Sequence, residues 1–219
     1  MRHSPLKRVD RDVVFAAAAD ERRQIASLIG GLDDAQLAFP SLCEGWAVKT
    51  VAAHLVSVIA DSFWVFQRTA LRCRGVGRAI DVLAQRRARL SSAEIAAALC
   101  RYADHELSPP ITGPLSGLTD VLVHDGDIRI PLGLPFDPDP ERVALALDFL
   151  TGPLPLGFVP RGRLRVLSLR ATDVDRTWGA GEQIRGPAAA LMMAACGRVE
   201  TLDALDGPGL PVLRHRLSG

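Results

Sequence analysis

Apolar residues recur at helical spacing through the first half of the chain. Val13, Val14, Ala17, Ile25, Leu28 and Ile29 fall about one turn apart between charged positions, and Gly30-Gly31 supplies a stop, so the stretch from Val9 to about Ile29 predicts an amphipathic helix. A loop from Leu32 to Trp46 carries Pro40 and Gly45. The period then resumes at Val48, Val51, Ala52, Leu55, Val58 and Ile59 and predicts a second helix running to about Ala70. Val76 to Leu90 is rich in arginine and reads either as a further short helix or as a mobile connection. Ser91-Ser92-Ala93-Glu94 has the form of a capping box, in which the serine hydroxyl accepts from the backbone three residues on while the glutamate reaches back. The helix it opens is expected to end near Leu107. Ser108-Pro109-Pro110 breaks the chain, and Leu115 to about Ile130 gives a fourth main helix, ended by Pro131 and Gly133. Four main helices joined by short breaks predict an antiparallel bundle.

Past Gly133 the pattern changes. Gly133 to Pro140 is rich in Pro, Gly and Asp, which places a boundary here and divides the chain into residues 1–135 and 136–219. Asp139-Pro140 is a helix start, with Asp at the N-cap and Pro in the first turn, and its helix should run to about Leu150. Arg163 to Arg170 approaches strict alternation, the mark of a half-buried strand, and Trp178 with the Gly179-Ala180-Gly181 turn predicts a second strand. Gly186-Pro187 opens a helix over Ala188 to Cys196. The C-terminal part is therefore read as a small α+β module.

The 219 residues are 48% hydrophobic and 23% charged, the make-up of a folded globular chain. The longest uncharged apolar run, Ala188 to Cys196, is far short of the roughly 20 residues that span a bilayer. A net charge of +1 is too balanced for a chain whose main partner is a polyanion, so neither nucleic acid nor membrane is expected as a partner. Met1 to Arg8 is basic but lacks the apolar run of a signal peptide, which points to the cytoplasm. Lys7 and Lys49 are the only lysines, an arginine bias typical of a GC-rich, actinobacterial genome. Cys43, Cys73, Cys100 and Cys196 are widely spaced, so neither a disulfide framework nor a structural zinc motif is indicated.

Chemistry concentrates in Asp120-Val-Leu-Val-His-Asp-Gly-Asp127. Residues at i, i+4 and i+7 share a helix face, so Asp120, His124 and Asp127 project together. His54 sits at the apolar centre of the second helix, where an imidazole needs a hydrogen-bonding partner or a metal. Two imidazoles with Asp120 form a set that suits zinc and leaves a fourth position open, the catalytic pattern. Among the arginines, Arg129, Arg185 and Arg198 have forks suited to carboxylates. Trp46 is read as a packing anchor, and Phe63, Trp64 and Phe66 as core. Cys43 is read as a packed thiol with no base or cation beside it, and His3, His105 and His215 as surface histidines.

Leu42-Cys-Glu-Gly-Trp-Ala-Val-Lys-Thr-Val-Ala-Ala-His-Leu55 and Asp120-Val-Leu-Val-His-Asp-Gly-Asp-Ile-Arg-Ile-Pro-Leu-Gly133 resemble the mycothiol-dependent maleylpyruvate isomerase family of the DinB-like superfamily. Trp178 to Pro187, Gly197-Arg198 and Leu205 to Gly209 resemble that family's second domain. The resemblance implies a mainly α chain, with a DinB-like four-helix bundle followed by a small sterol-carrier-like α+β domain. It implies a divalent metal, zinc, on His54, Asp120 and His124, with mycothiol as thiol cosubstrate. It further implies an arginine of the second domain facing the metal, for which Arg198 is the first candidate and Arg185 the second. The expected activity is isomerisation or S-transfer on a small electrophile such as an unsaturated diacid; a non-catalytic binding module and a metal-dependent hydrolase are the alternatives. Two positions depart from the family pattern: Asp120 stands where glutamate is usual, and Ala47 where a capping Thr or Ser is usual.

Overall fold

The computed structural model describes residues 10–218; His3 and the basic N-terminal segment lie outside them. Helix α1 (Arg11–Gly31) starts at Asp10, whose carboxylate accepts from the Asp12 backbone, and runs through both glycines before ending at Leu32. A five-residue helix, α2 (Asp34–Ala38), opened by a capping box of Asp33 and Gln36, occupies part of the expected loop. Helix α3 (Val48–Ala60) is shorter than the apolar period predicts. The chain turns extended at Asp61, and Ser62 caps a new helix, α4 (Phe63–Cys73), by accepting from the Val65 backbone. A short polar side chain that competes for backbone donors ends one helix and begins the next even where the apolar spacing carries on. The Asp61 carboxylate is held by Arg87 of α5 (Val76–Arg87). The arginine-rich stretch is thus a helix, and it buries Ala79, Leu83 and Ala84.

Helix α6 (Ser92–Arg101) begins on the expected Ser91/Glu94 capping box but stops well before Leu107. Arg22 of α1 accounts for the stop: its buried guanidinium donates to the carbonyls of Ala103 at 2.6 Å and His105 at 2.9 Å, binding the chain in a non-helical path. Helix α7 (Gly113–Arg129) follows. Helices α1 and α3 each pack against both α6 and α7, which closes the four into a bundle around Ile25, Ile29, Val51, Val56, Ile95, Leu99, Leu118 and Leu122. Helix α5 lies outside on α3, with α4 on α5. Phe63 and Trp64, expected in the core, are 59% and 73% exposed, because α4 turns only its other side toward α5 and buries no residue.

Helix α8 (Pro140–Leu150) starts at Asp139 as expected and packs on α7. It also packs on α9 (Ala188–Ala195). Three strands, β1 (Leu167–Ala171), β2 (Thr177–Gly179) and β3 (Glu182–Gly186), form a sheet in the order β2-β1-β3, of which β1 and β3 meet α9. β1 pairs antiparallel with β2 and parallel with β3. The strand begins at Leu167, not Arg163: residues 163–166 form turns, and Val166 takes a positive φ of 55° so that its carbonyl can accept from Glu182. The short β2–β3 link crosses that point. A side chain at Gly181 would stand 2.0 Å from the Val166 carbonyl oxygen, so only glycine fits. A 3-10 turn over Val199–Ala204 and helix α10 (Leu210–Leu217) complete the chain. One apolar cluster runs from the bundle through α8 and α9. At the seam, the terminal atoms of Met193 lie so close to Gly126 of α7 that a Cβ there would meet them at 2.7 Å.

Candidate functional site

The turn before α3 is built by its own short contacts. Ser41 accepts from the Cys43 backbone and donates its hydroxyl to the Trp46 carbonyl, while Gly45 supplies the positive φ the turn needs. Ala47 offers no side-chain cap, but the first backbone N–H of α3, from Val48, donates to the Phe39 carbonyl at 2.9 Å. The missing hydroxyl is thereby offset by main chain. Leu42 donates to the Asp127 carbonyl, which fastens this turn to α7.

Across the bundle, His54 of α3 and His124 of α7 stand edge to face with ring centres 4.9 Å apart, and Trp46 packs on His54 at 5.2 Å. Trp46 is also a hydrogen-bond donor, to Asp81 of α5 at 2.9 Å. Asp120 Oδ1 lies 3.5 Å from His124 Nε2 and 3.7 Å from His54 Nε2. Those separations are long for hydrogen bonds. They are close to the roughly 3.3–3.6 Å that separates neighbouring ligands of a tetrahedral ion with bonds of about 2.0–2.2 Å. His54 is 6% exposed, and its buried Nδ1 has no hydrogen-bond partner. An ion on Nε2 would leave Nδ1 as it is, so the fit rests on the spacing and chemistry of the three donor atoms. The donor set of His54, Asp120 and His124 therefore fits a zinc-type ion.

Behind His124 lies a second group. Asp127 Oδ2 accepts from His124 Nδ1 at 2.9 Å, which fixes the tautomer that leaves Nε2 free as a ligand. Asp127 is wholly buried and is gripped by Arg198, whose Nε donates to Oδ1 at 2.8 Å and Nη2 to Oδ2 at 2.6 Å. Cys43 is not a bystander: its thiol donates to Asp127 at 3.0 Å and lies 3.7 Å from His124 Nδ1 and 3.6 Å from Arg198 Nη2. Sequence offers no local signal for a contact 84 residues away. Cys43, His124 and Asp127 also form a metal-sized cluster. There the Arg198 guanidinium already supplies a positive charge beside Asp127.

The charges follow from this packing. Burial works against an ionised Asp127, yet His124 and Arg198 hold it well below the usual carboxylate range. Burial likewise opposes charge on Asp120, but His54, His124 and Arg22 keep its pKa low. For His124 burial favours the neutral ring, and the hydrogen bonds to Asp127 and Cys43 with the nearby carboxylates outweigh it, so the metal-free protein holds that proton well above the ordinary histidine value. A raised folded-state pKa stabilises fully below the unfolded value of about 6.5 and less as pH rises through the folded one. The metal-free protein should thus lose melting temperature as pH climbs through that interval. Zinc-loaded protein should not, and its affinity should rise with pH as the competing proton leaves. Melting curves with and without chelator across pH check both; a pH-independent zinc affinity would contradict the assignment of His124.

The structure does not bring Arg185 to this cluster. It is exposed on β3 and spends its guanidinium on Asp206 at 3.0 and 3.1 Å. Arg129 is bound to Asp125 on its own helix, and burial pushes the Asp125 carboxyl up to about 6 against that pull. His105 and His215 are exposed.

A profile of the family described as "Mycothiol maleylpyruvate isomerase N-terminal domain" matches residues 18–110. The matched residues, which make up less than half of the chain, are similar to that family. Of the candidate ligands, His54 lies inside the matched residues, and Asp120 and His124 follow them. Among solved structures, the crystal structure of the mycothiol-dependent maleylpyruvate isomerase aligns with a TM-score of 0.62 at 14% identity, covering 91% of this chain and 93% of that one. A histidine-to-alanine mutant of the mycothiol-dependent maleylpyruvate isomerase aligns at 0.60 and 15%, with the same coverage. At such identity the likeness shows the fold, and it extends through the α+β part beyond the matched domain. No curated protein sequence matches the chain.

Proposed function

We propose that this chain is a cytoplasmic, metal-dependent enzyme that uses mycothiol to isomerise, or transfer the thiol to, a small electrophile such as an unsaturated diacid. The reading is carried by one arrangement: an ion-sized set of His54, Asp120 and His124 joined through Asp127 to Arg198. Zinc on that set, with a coordination position open, would stabilise a bound thiol as its thiolate near neutral pH. His54 and His124 would offer neutral nitrogens, and Asp127 would hold His124 in the required tautomer.

Arg198 would bind the electrophile's carboxylate. Of its five N–H groups, two are taken by Asp127 and one by the Cys196 carbonyl, while another meets only the weak thiol acceptor of Cys43. The Nη1/Nη2 edge can therefore donate to a carboxylate. Addition of a thiolate to a cis double bond leaves a single bond free to rotate, and elimination of the same thiolate returns the trans isomer, so thiol and atoms balance. In this reading residues 1–135 hold the metal and residues 136–219 bring the carboxylate-binding arginine.

The test is metal analysis of the purified chain, mycothiol titration by calorimetry with and without chelator, and turnover of maleylpyruvate. One zinc per chain, thiol binding that disappears with the metal, and cis-to-trans turnover are expected. Absence of stoichiometric metal would favour a non-catalytic binding module, and metal without thiol affinity would favour a hydrolase.

A further inference from the structure

Helices α4 and α5 form a hairpin on the outside of the bundle, and its charge is unlike that of the rest. Residues 61–90 contain seven arginines against Asp61 and Asp81, whereas the whole chain carries a net +1. Arg87 is neutralised by Asp61. Arg68, Arg72, Arg74, Arg78, Arg86 and Arg89 are all exposed, and among the described residues none of them makes an ion pair. The same hairpin exposes large apolar side chains: Phe63 at 59%, Trp64 at 73%, Leu71 at 82% and Val76 at 58%.

These two properties share a face. Trp64 and Leu71 are seven residues apart and so stand one above the other on the solvent side of α4, with Phe63 to one side and Arg68 and Arg72 to the other. An amphipathic helix ordinarily buries its apolar stripe in its own protein. Here the aromatic stripe faces outward beside unpaired cations.

We propose that the α4–α5 hairpin docks on an anionic membrane surface. Arginine on the polar flank with Trp, Phe and Leu on the other is the composition of a helix lying in the plane of a lipid interface. Arginine stems extend far enough to lay their methylenes beside the apolar stripe while the guanidiniums meet headgroups. A second copy of the chain, joined by a two-fold contact, would set six arginines against six. A nucleic acid would use the arginines and stack on Trp64, but would leave Leu71 and Val76 without a role. No described helix is long and apolar enough to cross a membrane, so the contact is one of surface. The sequence-based expectation of no membrane partner rested on spanning segments and net charge, both averages that hide a local patch.

The experiment is flotation of the full chain with vesicles of phosphatidylglycerol and phosphatidylcholine in equal parts, beside vesicles of phosphatidylcholine alone. Binding is expected for the anionic vesicles only, weakening as salt is raised, with a blue shift of tryptophan fluorescence that Trp64→Phe removes. Each arginine near such a surface contributes a factor of roughly five, so the Arg68→Ala/Arg72→Ala protein should bind roughly 25-fold less tightly. Trp64→Ser/Leu71→Ser should also weaken binding. Unchanged circular dichroism and zinc content in these exposed-site variants keep the comparison interpretable. The proposal is overturned by no binding at low salt, by equal binding to neutral vesicles, or by binding that both variants retain. Self-association that the variants abolish, or nucleic-acid capture in place of vesicle binding, overturns it as well. None of these results bears on the metal and thiol reading, which is tested separately.

Discussion

Asp120→Asn protein is expected to leave purification without zinc, while its helix content matches that of chelator-treated parent. The substitution keeps shape and removes only the charged oxygen donor, leaving two imidazoles to hold the ion. Loss of a residue that merely orients a ligand costs about 10- to 100-fold in metal affinity; loss of a direct ligand should exceed about 100-fold. Fold is spared because Arg22, the arginine whose charge acts on Asp120, retains its hydrogen bonds to the Ala103 and His105 carbonyls. Asp120→Glu is the sharper comparison. The backbone already brings the aspartate oxygen to 3.5 and 3.7 Å from the two ring nitrogens, so an added methylene overshoots. The glutamate variant should bind zinc more weakly than the parent and more tightly than the asparagine variant. Competition with a chromophoric chelator measures all three, and tight stoichiometric zinc in the asparagine protein would show that the third ligand has been misassigned.

Arg198→Ala should reduce turnover on the order of 10²- to 10³-fold, the usual cost of removing a placed donor to developing or bound charge. Zinc content should stay near that of the parent. The stability loss should be about 3 kcal/mol, the low end for breaking a buried pair, because Asp127 is left buried with only His124 and Cys43 as partners. Arg198→Lys should recover charge without the two-point grip, and so restore stability more than turnover. Combining Arg198→Ala with Asp127→Asn removes both ends of the pair, and the double variant should be more stable than Arg198→Ala alone. Denaturant melts and steady-state kinetics on the parent, Arg198→Ala, Arg198→Lys, Asp127→Asn and the double variant decide this; additive losses in stability from the two single changes would mean that the pair is not coupled.

The bundle was legible because its helices obey one period and one of their starts is written locally, in Ser91/Glu94, as is the start of α8 in Asp139/Pro140. The metal-sized set was legible for a related reason: Asp120 and His124 are one turn apart, and His54 is conspicuous in an apolar stretch. What escaped depends on distance along the chain. Arg22 ends α6 from the far side of the bundle, and Cys43 meets Asp127 84 residues away, and Arg198 only after the α+β part has packed. The exposed aromatics of α4 were misread because apolar periodicity reports that a face exists, not that the same chain covers it. Asp61-Ser62 was misread in the opposite sense, a cap hidden inside a pattern that seemed to continue.

The site is also ordered in time. Chains emerge from the ribosome N-terminus first, and the helices carrying His54, Asp120 and His124 are complete long before Arg198, which lies 71 residues beyond its partner Asp127. A nascent chain paused after α7 would already have the donor atoms for an ion, but its buried carboxylate would lack the guanidinium that neutralises it. Arg198 follows α9, which packs against Gly126, so the final fifth of the sequence brings that charge to a carboxylate made well before it.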